Sequence, residues 1–518
     1  MKKLFTRTHL WLFFILVVAA FMRLYKIGDY LTFLGDEGRD VLVVYNILHG
    51  HLTLLGPTSS VGGFFLGPIY YYFMAPFLWA FNYNPVGPAV MVALFSIGTV
   101  WLIYYIGSKF FSTTTGLIGA LLYAISPLVL TYARSSWNPN LMPITTLLLL
   151  YTLYLAFVKK HLRYFFVTGV LFGIAMQLHY IEVFVGAIII FYTLLGAFYV
   201  KKSFWEISKD FCLLLVGFLV GWSPFLAFEF RHGFTNIRAI VNFIFHPNTS
   251  GNGVGTTGNS LFIVQDIFYR VFGRLLVNVP SPDLYHLYTN IELTVWFVAA
   301  WLIGICCTVF LLIKLLHAKK DTTKFLQYLL LSVWLILGIL FFGLYKKNIY
   351  DYYFEFLFPL PFLLVGGLIG YLFTKKIWIK IFASVCVLLL VLINLQGIPF
   401  QYTPNRELQQ TETISRFVLD KTNNQPFNFA LITGGNSDQA YRYFFTIWGH
   451  SPVTIQDSQV DPQRTTVTKQ LLIICESLPC YPLGNPLWEI AGFGRAQIAG
   501  QWDVSVVQIY KLVHYKGK

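Results

Sequence analysis

The chain has 518 residues, 56% of them hydrophobic and 18% aromatic, and only 12% carry charge. A soluble globular domain has no use for that much apolar surface, whereas repeated apolar runs of about 17–25 residues mark transmembrane helices. The net charge of +14 sits in short basic clusters between apolar runs, a pattern that reads as membrane topology with anionic lipid as partner and argues against nucleic acid.

Taken in order, the chain opens on Met1-Lys2-Lys3 and the apolar stretch Leu10–Met22, which resembles a signal sequence but lacks a convincing small-residue cleavage site and reads as an uncleaved first span. Spans are predicted near 10–26, 87–108, 115–133, 140–158, 164–179, 181–199, 210–229, 293–316, 325–344, 352–373 and 377–397. The expected fold is therefore an all-α polytopic membrane protein of about 11 transmembrane helices over residues 1–397. Directly after the first span comes a knot of charge, Gly35-Asp36-Glu37-Gly38-Arg39-Asp40, followed by a helix pattern over Asp40–Leu48. Adjacent carboxylates at the mouth of a membrane span point to chemistry or ion handling.

The run Gly67–Phe81 is short and contains Pro68 and Pro76. If it does not cross, Lys2, Lys3 and Arg7 share one side with Lys109, with Lys159, Lys160 and Arg163, with Lys201 and Lys202, with Lys319, Lys320 and Lys324, and with Lys375 and Lys376. The positive-inside rule thus makes it a juxtamembrane helix on the outer surface, with Tyr70 to Tyr72 in the headgroup zone. Residues 27–86, the turns at Arg134–Asn140 and near His179, the loop 230–291, Tyr345–Asp351 and the tail from 398 then all face outward. The tail, 398–518, is more polar and alternates in strand fashion. Phe427–Thr433, Gln470–Glu476 and Val504–Leu512 read as strands and Leu408–Lys421 and Asp438–Ile447 as helices, a small extracytoplasmic α/β domain.

Several motifs carry no function. Gly253-Val254-Gly255-Thr256-Thr257-Gly258 matches a dinucleotide fingerprint in letters, but it follows no strand and opens no helix, so it reads as a connector. Asn248-Thr249-Ser250 is a glycosylation acceptor pattern. Gly366, Gly367 and Gly370 suit close helix packing. Cys212, Cys306, Cys307 and Cys386 lie within spans, while Cys475 and Cys480 can pair if the tail faces an oxidising space. No Cys/His zinc spacing, Walker loop or nucleophile elbow occurs.

The outward polar residues are more informative. Arg39 follows the acidic pair; Arg134 and Trp137 cap the second external turn; Gln177, His179 and Glu182 mark the next; Glu229, Arg231 and His232 end another; and Lys346, Lys347, Tyr350, Tyr352 and Tyr353 flank the last hairpin. Lys346 and Lys347 break the positive-inside pattern, and an anionic ligand such as phosphate supplies a reason for them.

At this point the residues resemble a known family. Gly35-Asp36-Glu37-Gly38, with the helix running to Asn46-Ile47-Leu48-His49-Gly50, is similar to the first external loop of the protein O-mannosyltransferase and lipid A aminoarabinose-transferase group. These are membrane glycosyltransferases of the GT-C type that use polyprenyl-phosphate sugars. Gly67-Pro68-Ile69-Tyr70-Tyr71-Tyr72 is similar to that group's His-Pro-Pro-Leu-Tyr-Tyr segment, Ser126-Pro127 through Tyr132-Ala133-Arg134 to its second-hairpin motif, and Lys346 to Pro359 to its late Lys…Tyr…Pro segment. The specific match covers roughly the first 200 residues. Gly67 stands where the family often has His, and Asn138 and Asn140 stand near where relatives often carry a second acid.

The resemblance implies transfer of a sugar from a polyprenyl-phosphate donor to an acceptor hydroxyl on a protein, lipid or glycan at the outer face of the cell membrane, by one inverting displacement. Asp36 matches the catalytic acid position and is expected to be the general base, with Glu37 orienting the acceptor or tuning it. Arg39, Tyr70, Tyr71, Arg134, His179, Lys346, Lys347 and Tyr352 are expected to bind the substrate or its lipid phosphate. The resemblance fixes no cofactor; a divalent metal is compatible with the chemistry, and no metal ligand is assigned. The competing classes are a multi-spanning transporter, which would place charges at the bilayer midplane within internal repeats, and a non-catalytic lipid-binding subunit of an assembly pathway.

Overall fold

The structure, a computed structural model, describes residues 7–59, 63–245, 260–279, 291–345, 348–515 and 517. The sequon at 248–250 and the glycine run 253–258 lie outside the described residues. The chain divides into two compact units: Met1–Tyr25, Thr53–Tyr70 and Val90–Thr403 form one, and Lys26–Leu52, Tyr71–Ala89 and Pro404–Lys518 form the other.

The first unit is helical. Among the described residues seven helices are long and apolar enough to cross a membrane, starting with α1 (Arg7–Leu24), and the number rises to ten if each of three bent pairs is one span. The bends are 65° between Thr113–Ile125 and Pro127–Ala133, 69° between Phe204–Gly221 and Ser223–Arg231, and 53° between Asp351–Leu357 and Pro359–Leu372. Each coincides with Pro127, Pro224 or Pro359, since proline removes a backbone donor; at the first bend the preceding Ser126 is also extended, φ −61°, ψ 122°, whereas Phe358 before Pro359 stays helical. The eleventh expected span is the helix Arg163–Leu178, whose 16 residues reach only about 24 Å of a roughly 30 Å hydrocarbon core. The run Gly67–Phe81 becomes α3 (Ile69–Ala80), 12 residues long, about 18 Å and too short to cross.

Small residues set how closely these helices approach. A Cβ on Gly169 would overlap the Leu214 carbonyl, and one on Gly217 the Phe166 carbonyl, so Arg163–Leu178 and Phe204–Gly221 meet backbone to backbone. A Cβ on Gly366 would come within 2.7 Å of the Thr115 carbonyl, the close packing expected of that glycine cluster.

The second unit carries a four-stranded sheet: β1 (Asn428–Ile432), β2 (Gln470–Cys475), β3 (Ala496–Val504) and β4 (Val507–His514), in the order β1-β2-β4-β3. β1 and β2 are parallel, and β4 runs antiparallel to both β2 and β3. β2 is buried on both faces, which is why it reads as one apolar run. Phe429, Leu472, Ile474 and Ile509 pack with Val418 and Phe445 on one face, and Ala430, Leu471, Ile473 and Leu512 with Ile490 and Phe493 on the other. The sequence reading missed β3: it is an edge strand, mostly half-buried or exposed, and interrupted by Gly500. The helices Glu407–Thr422 and Gln439–Ile447 flank the sheet, and Cys475 pairs with Cys480.

Candidate active site

The acidic knot belongs to a helix rather than a loop. α2 (Gly35–Leu48) begins five residues before the expected helix start, so Asp36 and Glu37 occupy its first turn, where a carboxylate is favoured by unpaired backbone N–H groups and the helix dipole. Glu37 folds back to accept a hydrogen bond from the Leu34 N–H at 3.1 Å. Asp36 projects outward, with 59% of its side chain exposed, and accepts from Arg39 at 2.8 Å. Arg39 also donates its Nε and Nη2 to Asp40 at 2.9 and 2.8 Å. Asp40 is fully buried, receives the phenol of Tyr71 at 3.1 Å on the same oxygen, and leaves its Oδ2 without a partner.

One guanidinium thus serves two carboxylates, one exposed and one buried. Burial lifts the Asp40 carboxyl to about 6 against the pull of Arg39. Burial likewise lifts Glu37 to about 7, while the Leu34 N–H bond and its own backbone oppose the shift. Asp36 is the most exposed of the three.

α2 is held within its unit by close packing. A Cβ on Gly38 would overlap the Ala440 backbone, and one on Gly35 the Ser437 side chain, so the glycines of the Gly-Asp-Glu-Gly motif are demanded by the helix Gln439–Ile447 and by the segment leading into it. Upstream, the Phe33 N–H donates to Glu407 at 3.1 Å and the Asp29 carbonyl accepts from the Arg406 N–H at 3.0 Å.

The remaining expected site residues, apart from Tyr71, lie in the other unit. Tyr70 and Tyr71 were expected in the headgroup zone; both are buried instead, Tyr70 bonded to Ser136 at 2.8 Å and Tyr71 to Asp40. Arg134 is buried and donates to the carbonyls of Met22, Arg23 and Tyr25 at 2.9, 3.0 and 2.9 Å. It therefore caps the C-terminal end of α1, where orphan carbonyls and the negative end of the helix dipole favour a cation. His179 is buried, and its Nδ1 accepts from the Ile181 N–H at 3.2 Å. Tyr352 packs on Trp137 at 4.3 Å and on His179 at 5.9 Å between ring centres. Lys346 and Lys347 lie outside the described residues.

The departures from the family pattern have local causes. A Cβ on Gly67 would overlap the Gln177 side chain, whose Oε1 accepts from the Ile69 N–H at 3.3 Å and whose Nε2 donates to the Gly221 carbonyl at 2.6 Å. Asn140 donates to the Tyr132 and Ser135 carbonyls at 2.7 and 2.8 Å, and Asn138 to the Leu178 carbonyl, so both amides hold turns that a carboxylate could not.

Two features went unread in the sequence. Arg23, fully buried near the end of α1, donates to Ser96 at 2.8 Å and to the Ala124 carbonyl at 2.9 Å. Arg270 bridges Asp266 at 2.8 Å and Asp351 at 3.1 Å, donates to the Ile349 carbonyl at 3.0 Å, and shares Asp351 with Arg274. The spacing Asp266-x3-Arg270-x3-Arg274 was visible inside what read as a long external loop. Arg270 to Arg274 form a π-helical turn, a geometry frequent at functional sites. Among the described residues no group of three His, Cys, Asp or Glu side chains comes together that could hold a metal ion.

Residues 66–228 match the family described as dolichyl-phosphate-mannose-protein mannosyltransferase. No curated protein matches the chain by sequence. Among solved structures, ArnT from Cupriavidus metallidurans bound to undecaprenyl phosphate is similar with a TM-score of 0.59 at 12% identity, covering 97% of each chain. The same protein in its apo state gives 0.60 at 11% identity over 98% of each chain. The archaeal oligosaccharyltransferase AglB from Archaeoglobus fulgidus, in complex with an inhibitory peptide and a dolichol-phosphate, gives 0.53 at 12% identity, covering 90% of this chain and 69% of that one. At such identities the structural likeness is one of fold. Residues 66–228 are thus similar in sequence to that mannosyltransferase family, and the chain as a whole is similar in fold to ArnT and AglB.

Proposed function

We propose that this protein transfers a sugar from a polyprenyl-phosphate carrier to an acceptor hydroxyl at the extracytoplasmic face of the cell membrane, with Asp36 as general base. The observation that carries this reading is the first turn of α2, where an outward-facing Asp36 is steered by Arg39 at 2.8 Å. The resemblance of the same turn to the family's acidic motif supports it. So does the positive-inside threading, which puts residues 27–86 and the tail on the outer side.

The chemistry is one displacement. The acceptor oxygen attacks the anomeric carbon, the bond from that carbon to the phosphate oxygen breaks, and the polyprenyl phosphate departs with the electron pair. The acceptor proton passes to the Asp36 carboxylate, and the anomeric configuration inverts. A sugar on a lipid phosphate is already activated, so the protein needs a base and positive charge for the leaving group, and no nucleotide-binding fold. Arg39 orients Asp36, and Glu37 and Asp40, held partly neutral by burial, limit the negative charge around it. For the leaving phosphate, the sequence offers Lys346 and Lys347 as candidates.

The test is transfer by the purified protein in liposomes, using radiolabelled undecaprenyl- and dolichyl-phosphate hexoses and pentoses with an envelope extract as acceptor. Asp36→Asn is expected to lower turnover by about 10²–10⁴-fold, the worth of a general base, with insertion and donor binding intact. Turnover near that of the parent in Asp36→Asn overturns the assignment. Movement of the labelled lipid across the bilayer without transfer would identify a transporter instead.

A further inference from the structure

We infer that Asn436 and Glu476 of the tail are positioning residues for the acidic turn of α2, and that this is what the tail contributes to the reaction; the inference rests on the reading of Asp36 as base. α2 lacks a capping side chain of its own, because its N-cap residue is Leu34, which has no hydrogen-bonding atom beyond the backbone. The unpaired N–H of Gly35, the residue before Asp36, is instead capped from a distance of 401 positions by Asn436 Oδ1 at 2.9 Å. The same oxygen accepts from the Ser437 N–H at 2.8 Å.

Which end of the Asn436 amide faces Gly35 is set by its other partner. Its Nδ2 lies 3.3 Å from both oxygens of Glu476, and an ionised carboxylate can only accept, so the NH₂ faces Glu476 and the carbonyl faces α2. Glu476 is itself fixed by the Thr433 hydroxyl and the Tyr441 phenol, each at 2.8 Å. Thr433 and Glu476 directly follow β1 and β2, so the anchor sits at the carboxyl ends of the two parallel strands. The relay runs from sheet to Glu476 to Asn436 to Gly35, and the next residue is Asp36. With both motif glycines pressed on Ser437 and Ala440, the acidic turn is held by close packing as well as by this hydrogen bond.

Asn436→Asp keeps an acceptor for Gly35 but sets a second carboxylate against Glu476, which drives them apart. Adding Glu476→Gln restores a donor facing an acceptor, with the polarity of the bond reversed. In the full-length protein, Asn436→Asp is expected to lower kcat by roughly 10–100-fold, the scale of a misplaced reacting group, with donor KM little changed. Amide protons over residues 35–38 should lose hydrogen-exchange protection in Asn436→Asp, and both readouts should return in Asn436→Asp/Glu476→Gln. An unchanged kcat in Asn436→Asp, or a loss that the second substitution does not rescue, overturns the positioning role. Asp36→Asn separates the two readings. If it is inactive while Asn436→Asp is unimpaired, only the positioning inference falls; if it is active, the base assignment falls and the positioning role with it.

Discussion

The phenol of Tyr71 donates to Asp40 at 3.1 Å, and both side chains are buried. Asp40 already has one oxygen without a partner, so this bond and the Arg39 fork are all that compensate its burial. Removing a partner from a buried charged group costs about 1–3 kcal/mol. Tyr71→Phe is therefore expected to lower the unfolding midpoint in detergent while keeping residual transfer well above that of Asp36→Asn. A midpoint equal to that of the parent would show that Asp40 does not depend on the phenol.

Stability should also respond to pH through the same turn. In the folded protein Asp40 is lifted from 3.8 to about 6 and Glu37 from 4.5 to about 7, in each case chiefly by burial. The folded state then holds protons that the unfolded chain has released, so the contribution of each group is fully present below its unfolded value and is lost as pH rises through about 6 and about 7. Glu37→Gln removes its share, and its midpoint should fall less than the parent's between about pH 5 and 7. Thermal scans at stepped pH check this; parallel curves for the two proteins would contradict it.

Gly67 offers a third test, because the family often carries His there. With the Gln177 side chain already in the space a Cβ would need, Gly67→His is expected to destabilise by roughly 1–3 kcal/mol, the usual penalty for overpacking. Gln177→Ala in the same chain should recover part of that loss. Thermal unfolding of the single and double variants decides it, and an undisturbed Gly67→His would mean that Gln177 readily moves aside.

The helical framework was legible because hydropathy over some twenty residues is a local property: each predicted span falls on a described helix or bent pair. The tail's buried strands were legible for the same reason, and β3 was not, since an edge strand needs no apolar alternation. The acidic turn was found by its charge, but its place inside α2 was not, because the groups that make Gly35 and Gly38 helical lie four hundred residues downstream. Arg134 shows the limit most clearly. From sequence it is a cation on an external turn, and only the meeting of that turn with the end of α1 reveals three backbone carbonyls waiting for it. The Arg270–Asp351 bridge joins positions 81 apart, a pairing that no local pattern encodes.

The way residues 26–52 and 71–89 cluster with 404–518 bears on how the tail can be handled. A fragment starting at Pro404 would keep all four strands but strip away groups that cover the helix Gln439–Ile447: Phe33 from Tyr443 and Phe444, and the glycine face of α2 from Ala440. What reads in the sequence as a detachable appendage shares one compact unit with two segments that precede residue 90, so cutting at Pro404 divides a folded body and does not release one.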